Sequence, residues 1–109
     1  MKASSQGIVI YSTVPDTLLG KRIAHILVEE KLAACVNLSA PGLSIYLWEN
    51  EVEGTEEITL TIKTTEARQK ECIQKIVELH PYDMPEVIVL PIMGGHTPYL
   101  YWIQQQTKE

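Results

Sequence analysis

The chain predicts an α+β fold in which two helices cover one face of an antiparallel sheet. Short apolar runs alternate with segments of helical periodicity, in the order β-α-β-β-α-β followed by a terminal helix. The 109 residues are 45% hydrophobic and contain no repeat or linker, which is typical of a single packed domain. This order is the ferredoxin-like, or split β-α-β, pattern. We therefore treat residues 1–109 as one domain and expect residues 1–6 to be flexible.

The first strand and helix are predicted from a short apolar run and a start signal. Residues 8–11 are apolar and largely β-branched, as in a buried strand, and STVPD then supplies a cap and a proline. An apolar stripe at helical spacing predicts a helix from about Asp16 to Lys31. Gly20 inside it costs roughly 1 kcal/mol of helix propensity relative to alanine, so we expect close packing there.

The middle of the chain, LAACVNLSAPGLSIYLWENEVEG, is strand-like at both ends and interrupted by Ala40-Pro41-Gly42. Two strands joined by a bend, or one long bent strand, would fit. Large side chains alternate onto both faces of the second part, so we expect that strand to be covered on both sides. We expect Glu53-Gly54-Thr55 to form the hairpin turn that follows.

The second half repeats the strand, helix and strand signals. Ile58, Leu60 and Ile62 alternate with polar residues, as in a strand with one core face. Thr64-Thr65-Glu66 is predicted to open a helix that ends at His80-Pro81, because the residue before proline is disfavoured in helical geometry. Residues 87–90 then read as a buried strand closed by Pro91, and residues 97–103 as a short helix.

The predicted architecture leaves one face of the sheet without helices. Tyr46 and Trp48 add large apolar groups to the long middle strand, beyond what the two helices would cover. We therefore expect a second copy of the chain to cover this surface, with Tyr46 and Trp48 at the subunit interface.

Charge and cysteine content exclude several classes of protein. The net charge of −5 lacks the basic footprint of a nucleic-acid binder. No apolar run is long enough to span a membrane, and residues 8–11 are too short for a signal-peptide core, so a cytoplasmic location is the expectation. Cys35 and Cys72 form no CxxC motif, and we expect both to be small buried hydrophobes.

The three histidines form no paired metal-binding motif. His25 is expected to be a solvated helix residue, and His96 to line a helix entry. His80 lies in the segment HPYDMPEV and has two interpretations. Its ring could take part in a metal or ligand site, or it could cap the last carbonyls of the preceding helix.

The sequence gives little support for other kinds of functional site. The sequence contains neither a nucleophile motif nor a phosphate-binding loop, so we expect no enzymatic activity. A group of glutamates around the hairpin is expected to be solvated, with at most a weak attraction for divalent cations. The pairs Tyr46/Trp48 and Tyr99/Trp102 could stack on RNA bases, but packing between subunits is the favoured use because no RNA-binding strand motif is present.

Several segments together resemble the CutA family of divalent-cation tolerance proteins. They are KLAACVNL (31–38), SIYLWENEVE (44–53), IKTTEAR (62–68), HPYDMPEVIVLPI (80–92) and YLYWI (99–103), with TVPD (13–16) fitting the same pattern. The resemblance extends in the correct order from about residue 8 to residue 103.

This resemblance implies a ferredoxin-like subunit in a homotrimer similar to the PII-type signalling proteins. It also implies an association with copper and other divalent ions, and no established enzymatic reaction. One branch of the family is thought to ligate copper with a cysteine that ends the first strand and two successive histidines before Pro-Tyr. Ser12 and Leu79 stand at two of these positions, so only His80 is retained, and weak binding of copper or another divalent cation is expected.

Three functional hypotheses follow. In the first, a trimer takes part in the response to divalent metal ions and binds them weakly through His80. In the second, a PII-like module holds a small ligand between subunits, in a cleft near Lys63, Tyr82 and Glu86. In the third, the trimer is a structural scaffold on which a protein partner docks.

Overall fold

The computed structural model describes residues 6–108 as one antiparallel sheet with two helices packed on one face. The strands are β1 Gly7–Val14, β2 Cys35–Leu38, β3 Gly42–Trp48, β4 Glu51–Thr65 and β5 Val87–Pro91. The helices are α1 Thr17–Glu29, α2 Gln69–Leu79 and α3 Thr97–Gln106. The sheet order β2-β4-β1-β5, with β3 pairing the other half of β4, confirms the predicted ferredoxin-like fold.

The amino-terminal segment is described only from Gln6 onward. Residues 1–5 lie outside the described residues. Gln6 is hydrogen-bonded through its side chain and its backbone. Its Nε2 donates to the carbonyl oxygen of Ile92 (2.7 Å), and its backbone carbonyl accepts from the Glu66 amide (2.8 Å). These contacts connect Gln6 to Ile92 and Glu66, and the expected flexibility of residues 1–6 stays a prediction.

Helix α1 is bounded by a capping side chain before its first turn and by a left-handed residue after its last turn. The Asp16 carboxylate accepts a hydrogen bond from the Leu19 amide (2.8 Å) and caps the first turn. The helix ends at Glu29, slightly before the predicted Lys31, because Lys31 adopts a left-handed conformation with φ of 60°. A Cβ on Gly20 would lie 3.0 Å from a Leu38 methyl and 3.3 Å from a Val14 methyl, which confirms the predicted close packing.

The core lies between the two helices and the sheet. Residues 58–63 of β4 alternate between buried and half-buried positions, as their sequence predicted. β1 was predicted to be a buried strand but alternates in the same way. The largest fully buried apolar side chains of this core are Ile10, Val14, Ile23, Leu27, Leu60, Ile62 and Ile76. These residues bring both helices and the two central strands into one hydrophobic cluster.

β2 and β3 form one line along the edge of β4, with a bend between them. Leu38 pairs with Leu60, and Gly42 pairs with Glu57. Residues 39–41 therefore oppose only residues 58–59, so the edge strand carries one extra residue, as in a β-bulge. Pro41 lies in this bulge, where no ladder hydrogen bond from its nitrogen is needed. The bend predicted at Ala40-Pro41-Gly42 is confirmed.

The predicted hairpin turn is wrong in position. The chain reverses at Glu49 and Asn50, whose φ angles of 48° and 69° fit a two-residue type I′ turn. Gly54 instead lies inside β4, opposite Ile45. The turn was missed because its first residue is glutamate, which seldom adopts a positive φ, whereas Glu53-Gly54 carries the more usual glycine signal.

The predicted start of the second helix is also too early. Thr64 and Thr65 are the last residues of β4, and the Thr64 hydroxyl donates to the carbonyl of Leu32 (2.6 Å). A 3-10 turn over Glu66–Arg68 precedes α2. The buried Arg68 donates from Nε to the Lys31 carbonyl (3.2 Å), so the turn is tied to the end of α1. The predicted end of the helix at His80-Pro81 is confirmed.

The second face of the sheet is covered in part by the chain itself. Ile103 of α3 is fully buried, and the Thr107 hydroxyl lies 3.4 Å from that of Thr65 on β4. The chain therefore supplies part of this cover itself, and the expected contribution of another subunit stays a prediction. β5 was predicted to be buried, but Ile88 and Leu90 are about half exposed. The strand ends at Pro91, as predicted. Within residues 6–108, no helix combines the length and apolar character needed to cross a membrane.

Candidate functional site

The segment HPYDMPEV connects α2 to β5 and anchors its first residue at the end of β1. His80 is buried, and its Nε2 lies 2.7 Å from the Thr13 carbonyl oxygen. Its Nδ1 accepts a hydrogen bond from the Tyr82 amide (3.2 Å). Because a carbonyl can only accept and a backbone amide can only donate, these partners assign the neutral tautomer with the proton on Nε2.

This arrangement bears on both interpretations of His80. The ring does not cap the carbonyls of α2, so the capping interpretation is wrong; it binds across to β1 instead. Both ring nitrogens are engaged, so a metal ion would have to displace one of the two hydrogen bonds. Metal ligation by His80 stays a prediction.

The copper-ligand positions implied by the family resemblance do not fit a resident copper ion. Ser12 is fully buried on the core face of β1, and its hydroxyl has no hydrogen-bond partner within the described chain. Leu79 supplies no donor atom, and His80 uses both nitrogens. Within residues 6–108, no group of three or more histidine, cysteine, aspartate or glutamate side chains is arranged to hold a metal.

Tyr82 forms a contact that the sequence did not reveal. Its hydroxyl donates to the Glu57 carboxylate (2.9 Å), and its ring lies over His80 with centroids 4.7 Å apart. Burial, followed by the hydrogen bond and negative charge of Glu57, raises the pKa of Tyr82 to about 12. Glu57 was one of the glutamates expected to be solvated, and no sequence signal distinguishes it from its neighbours.

The residues assigned to a ligand cleft are not together in one chain. Lys63 lies six positions along β4 from the Tyr82 partner Glu57, a separation of about 20 Å. Its ammonium group donates instead to the Asn37 side chain on β2. Glu86 is exposed immediately before β5. A cleft that contains Lys63, Tyr82 and Glu86 therefore needs more than one subunit, and stays a prediction.

The predicted interface residues lie on a projecting hairpin, which we define as residues 42–57. Tyr46 and Trp48 are 42% and 59% exposed. The Tyr46 hydroxyl is 2.5 Å from that of Thr55, while the Trp48 indole is turned to solvent. Four further apolar side chains of the projecting hairpin are more exposed still: Leu43, Ile45, Leu47 and Val52. In one chain, neither face of β3 is covered, so cover on both sides would need another subunit and stays a prediction, as does the interface role of Tyr46 and Trp48.

The two cysteines differ from each other. Cys72 is fully buried in α2, where burial raises its thiol pKa to about 12, and this confirms the predicted role as a small hydrophobe. Cys35 is only half-buried, which corrects the same prediction for that residue. Its sulfur lies 3.5 Å from the Tyr99 hydroxyl on the face covered by α3.

Comparison with known proteins places this geometry in a family. A model of the family described as CutA1 divalent ion tolerance protein matches residues 8–106. The chain is 47% identical over 103 residues to "Protein CutA 1, chloroplastic" of Oryza sativa, covering 94% of this chain and 58% of that protein. It therefore spans less than two thirds of the length of the rice relative. It is 44% identical over 100 residues to "Divalent-cation tolerance protein CutA" of Thermus thermophilus, covering 91% and 96% of the two chains.

A solved structure shows the same fold over almost the whole chain. The crystal structure of CutA1 from Oryza sativa superimposes with a TM-score of 0.94 and 42% sequence identity, covering 99% of each chain. Together with the match over residues 8–106, this likeness shows that the chain belongs to the CutA1 divalent ion tolerance family.

Proposed function

We propose that this chain acts as a homotrimer in the response of the cell to divalent cations, and that it binds these ions weakly rather than holding a resident metal. Family membership supports the connection with divalent cations. The projecting hairpin supports assembly: its apolar side chains are exposed on both faces, and exposed apolar surface of this kind is typical of an interaction site.

The number of subunits in the assembly is tested by the mass of the protein in solution. A trimer has three times the chain mass of 12.3 kDa, about 37 kDa, and a closed ring of three copies is a common symmetric assembly. Sedimentation equilibrium at micromolar concentration is expected to give this mass. A species with the mass of one chain would contradict the proposal.

The proposed metal contact is His80, at its Nδ1. The hydrogen bond that Nδ1 accepts from Tyr82 is the longer of the two, at 3.2 Å against 2.7 Å, so it is the one that a metal would displace at lower cost. This competition is why we expect weak binding. Calorimetric titration with copper and zinc is expected to show that His80→Ala removes a binding event that His96→Ala retains. Equal binding by both variants would exclude His80 as the ligand.

A second candidate function is a PII-like module that binds a small ligand between subunits. The observation that favours it is the Tyr82–Glu57 hydrogen bond, which orders a phenol and a carboxylate. Glu86, four positions along the chain from Tyr82, is exposed. A neighbouring subunit would have to supply Lys63. A thermal shift with small anions such as ATP or citrate, lost in Lys63→Ala, would support this function. If neither metal nor anion binds, the scaffold hypothesis is the one that remains.

We also propose that the chain is not an enzyme and that it is located in the cytoplasm. The thiol of Cys72 is buried with a raised pKa, which makes it a poor nucleophile. Both cysteines are free, which fits a reducing compartment. The rice relative is described as chloroplastic, so cell fractionation with an antibody to the native chain is the appropriate test of location.

A further inference from the structure

We propose that α1 carries a second, weak divalent-metal site formed by His25 and Glu29. The two residues are one helical turn apart, so their side chains lie on the same face of α1. The His25 Nε2 lies 3.7 Å from the Glu29 Oε2, and the two side chains are 78% and 72% exposed. The pair is therefore open to an ion from solvent.

The separation of the two donor atoms suits a shared metal ion. Zinc binds imidazole nitrogen and carboxylate oxygen at about 2.1 Å, and tetrahedral geometry then places two such donors about 3.4 Å apart. The observed 3.7 Å needs only a small rotation of two exposed side chains. Imidazole and carboxylate are also acceptable donors for copper and other divalent transition metals.

The three histidines differ in the contacts that a bound metal ion would have to displace. At His80, both ring nitrogens are hydrogen-bonded inside the protein. At His25, the contact is a solvent-exposed one with a carboxylate, which is itself a metal ligand. His96 is exposed at the start of α3, and neither of its ring nitrogens forms an ion pair with a carboxylate of residues 6–108. His25 is therefore the histidine best placed to chelate an ion with a neighbour.

The surroundings make the site weak and exchangeable. The pair borders an open groove between α1 and β2 whose apolar walls are Ala24, Val28, Val36 and Leu38. Two protein ligands leave the other coordination positions to water. Lys21 borders the same groove, one turn before His25, and its positive charge opposes a bound cation. These features predict rapid capture and release of ions.

Copper broadening of amide resonances locates the site directly, since paramagnetic Cu²⁺ broadens signals only from nearby residues. In the full isotope-labelled chain, we expect selective broadening of residues 21–29 and of Val36 and Leu38. His25→Ala is expected to lose this broadening while its remaining spectrum is unchanged, because the side chain is exposed and supports no packing. Broadening that persists in His25→Ala, or that centres on residue 96, would overturn the proposal.

Charge variants provide matched controls. Zinc titration followed by amide shifts should give weaker binding in Glu29→Gln and tighter binding in Lys21→Gln, whereas His96→Ala should match the unaltered chain. Absence of saturable zinc or copper effects on α1 would overturn the site. Failure of the His25–Glu29 site can be distinguished from failure of metal binding at His80. Broadening of residues 80–86, and its loss in His80→Ala, report on His80 alone.

Discussion

The two halves of β4 show how one strand can occupy two different environments. Residues 58–65 pair with β1 along their whole length, and β2 pairs residues 60–63 on the other side; Ile58, Leu60 and Ile62 are buried beneath the helices. Residues 51–57 pair with β3 alone, and none of them is buried. β1 ends at Val14, opposite Ile58, so the first half of β4 has an unpaired edge.

This difference shows which part of the molecule one chain can stabilise. The core half of β4 has backbone partners on both edges and a hydrophobic cluster on one face. The projecting hairpin lacks both the second backbone partner and the hydrophobic cluster, although it carries the apolar residues Ile45, Leu47 and Trp48. An open strand edge with exposed apolar side chains is a template for pairing with another chain. The comparison therefore predicts that the two halves respond differently to mutation.

The largest expected effect is on assembly. Leu47→Asp places a charge on an apolar surface that we expect a second copy to bury, so it should convert the assembly of about 37 kDa to a folded single chain. Sedimentation equilibrium measures the mass, and circular dichroism confirms the fold. Leu18→Asp, on a leucine of α1 that is even more exposed than Leu47, is the matched control and should retain the assembled mass. An unchanged mass for Leu47→Asp would remove the hairpin from the interface.

The next prediction compares how mutations in the core half of β4 and in the projecting hairpin change the free energy of unfolding. Leu60→Ala removes a fully buried side chain and should lower the free energy of unfolding by about 2–5 kcal/mol. Leu47→Ala truncates a side chain that is 66% exposed in one chain. Its effect should be small at low protein concentration and grow as the concentration promotes assembly. Denaturant unfolding at several concentrations measures both; a concentration-independent loss for Leu47→Ala would contradict cover by a second copy.

The sequence predicted the core half more accurately than the projecting half. The alternation of Ile58, Leu60 and Ile62 reports burial within one chain, and the structure confirms it. The turn at Glu49-Asn50 was missed because the register of the hairpin depends on backbone angles that glutamate rarely adopts. The Tyr82–Glu57 contact could not be predicted, because it joins residues 25 positions apart that meet only through the tertiary fold.

Ser12 allows a smaller test of the core half. Its hydroxyl is fully buried on β1, opposite Leu60, without a partner among the described residues. An unpaired buried hydroxyl is destabilising, so Ser12→Ala should raise the free energy of unfolding by about 1 kcal/mol. Ser44→Ala in the projecting hairpin is the control and should change it by less than about 0.5 kcal/mol. A loss of stability in Ser12→Ala would indicate that the hydroxyl is hydrogen-bonded in solution.

The smallest expected effect is at Glu57, where the projecting hairpin meets the core. Burial and, after it, the hydrogen bond and the negative charge of Glu57 together raise the pKa of Tyr82 to about 12. Glu57→Gln removes the charge but leaves the burial, so the pKa of Tyr82 should fall only part of the way toward its usual value near 10. Ultraviolet absorbance of tyrosinate measures this change, and Tyr82→Phe identifies which of the tyrosine signals belongs to Tyr82.

The same shift carries a stability change with a definite sign. Because the folded chain has the higher pKa, the contribution of Tyr82 is fully present below pH 10 and is lost as the pH rises toward about 12. Glu57→Gln should narrow that window, whereas Glu51→Gln at the far end of the same half of β4 should leave it unchanged. If both variants titrate like the unaltered chain, Tyr82 does not bind Glu57 in solution, and the hairpin is held to the core by its strand pairing alone.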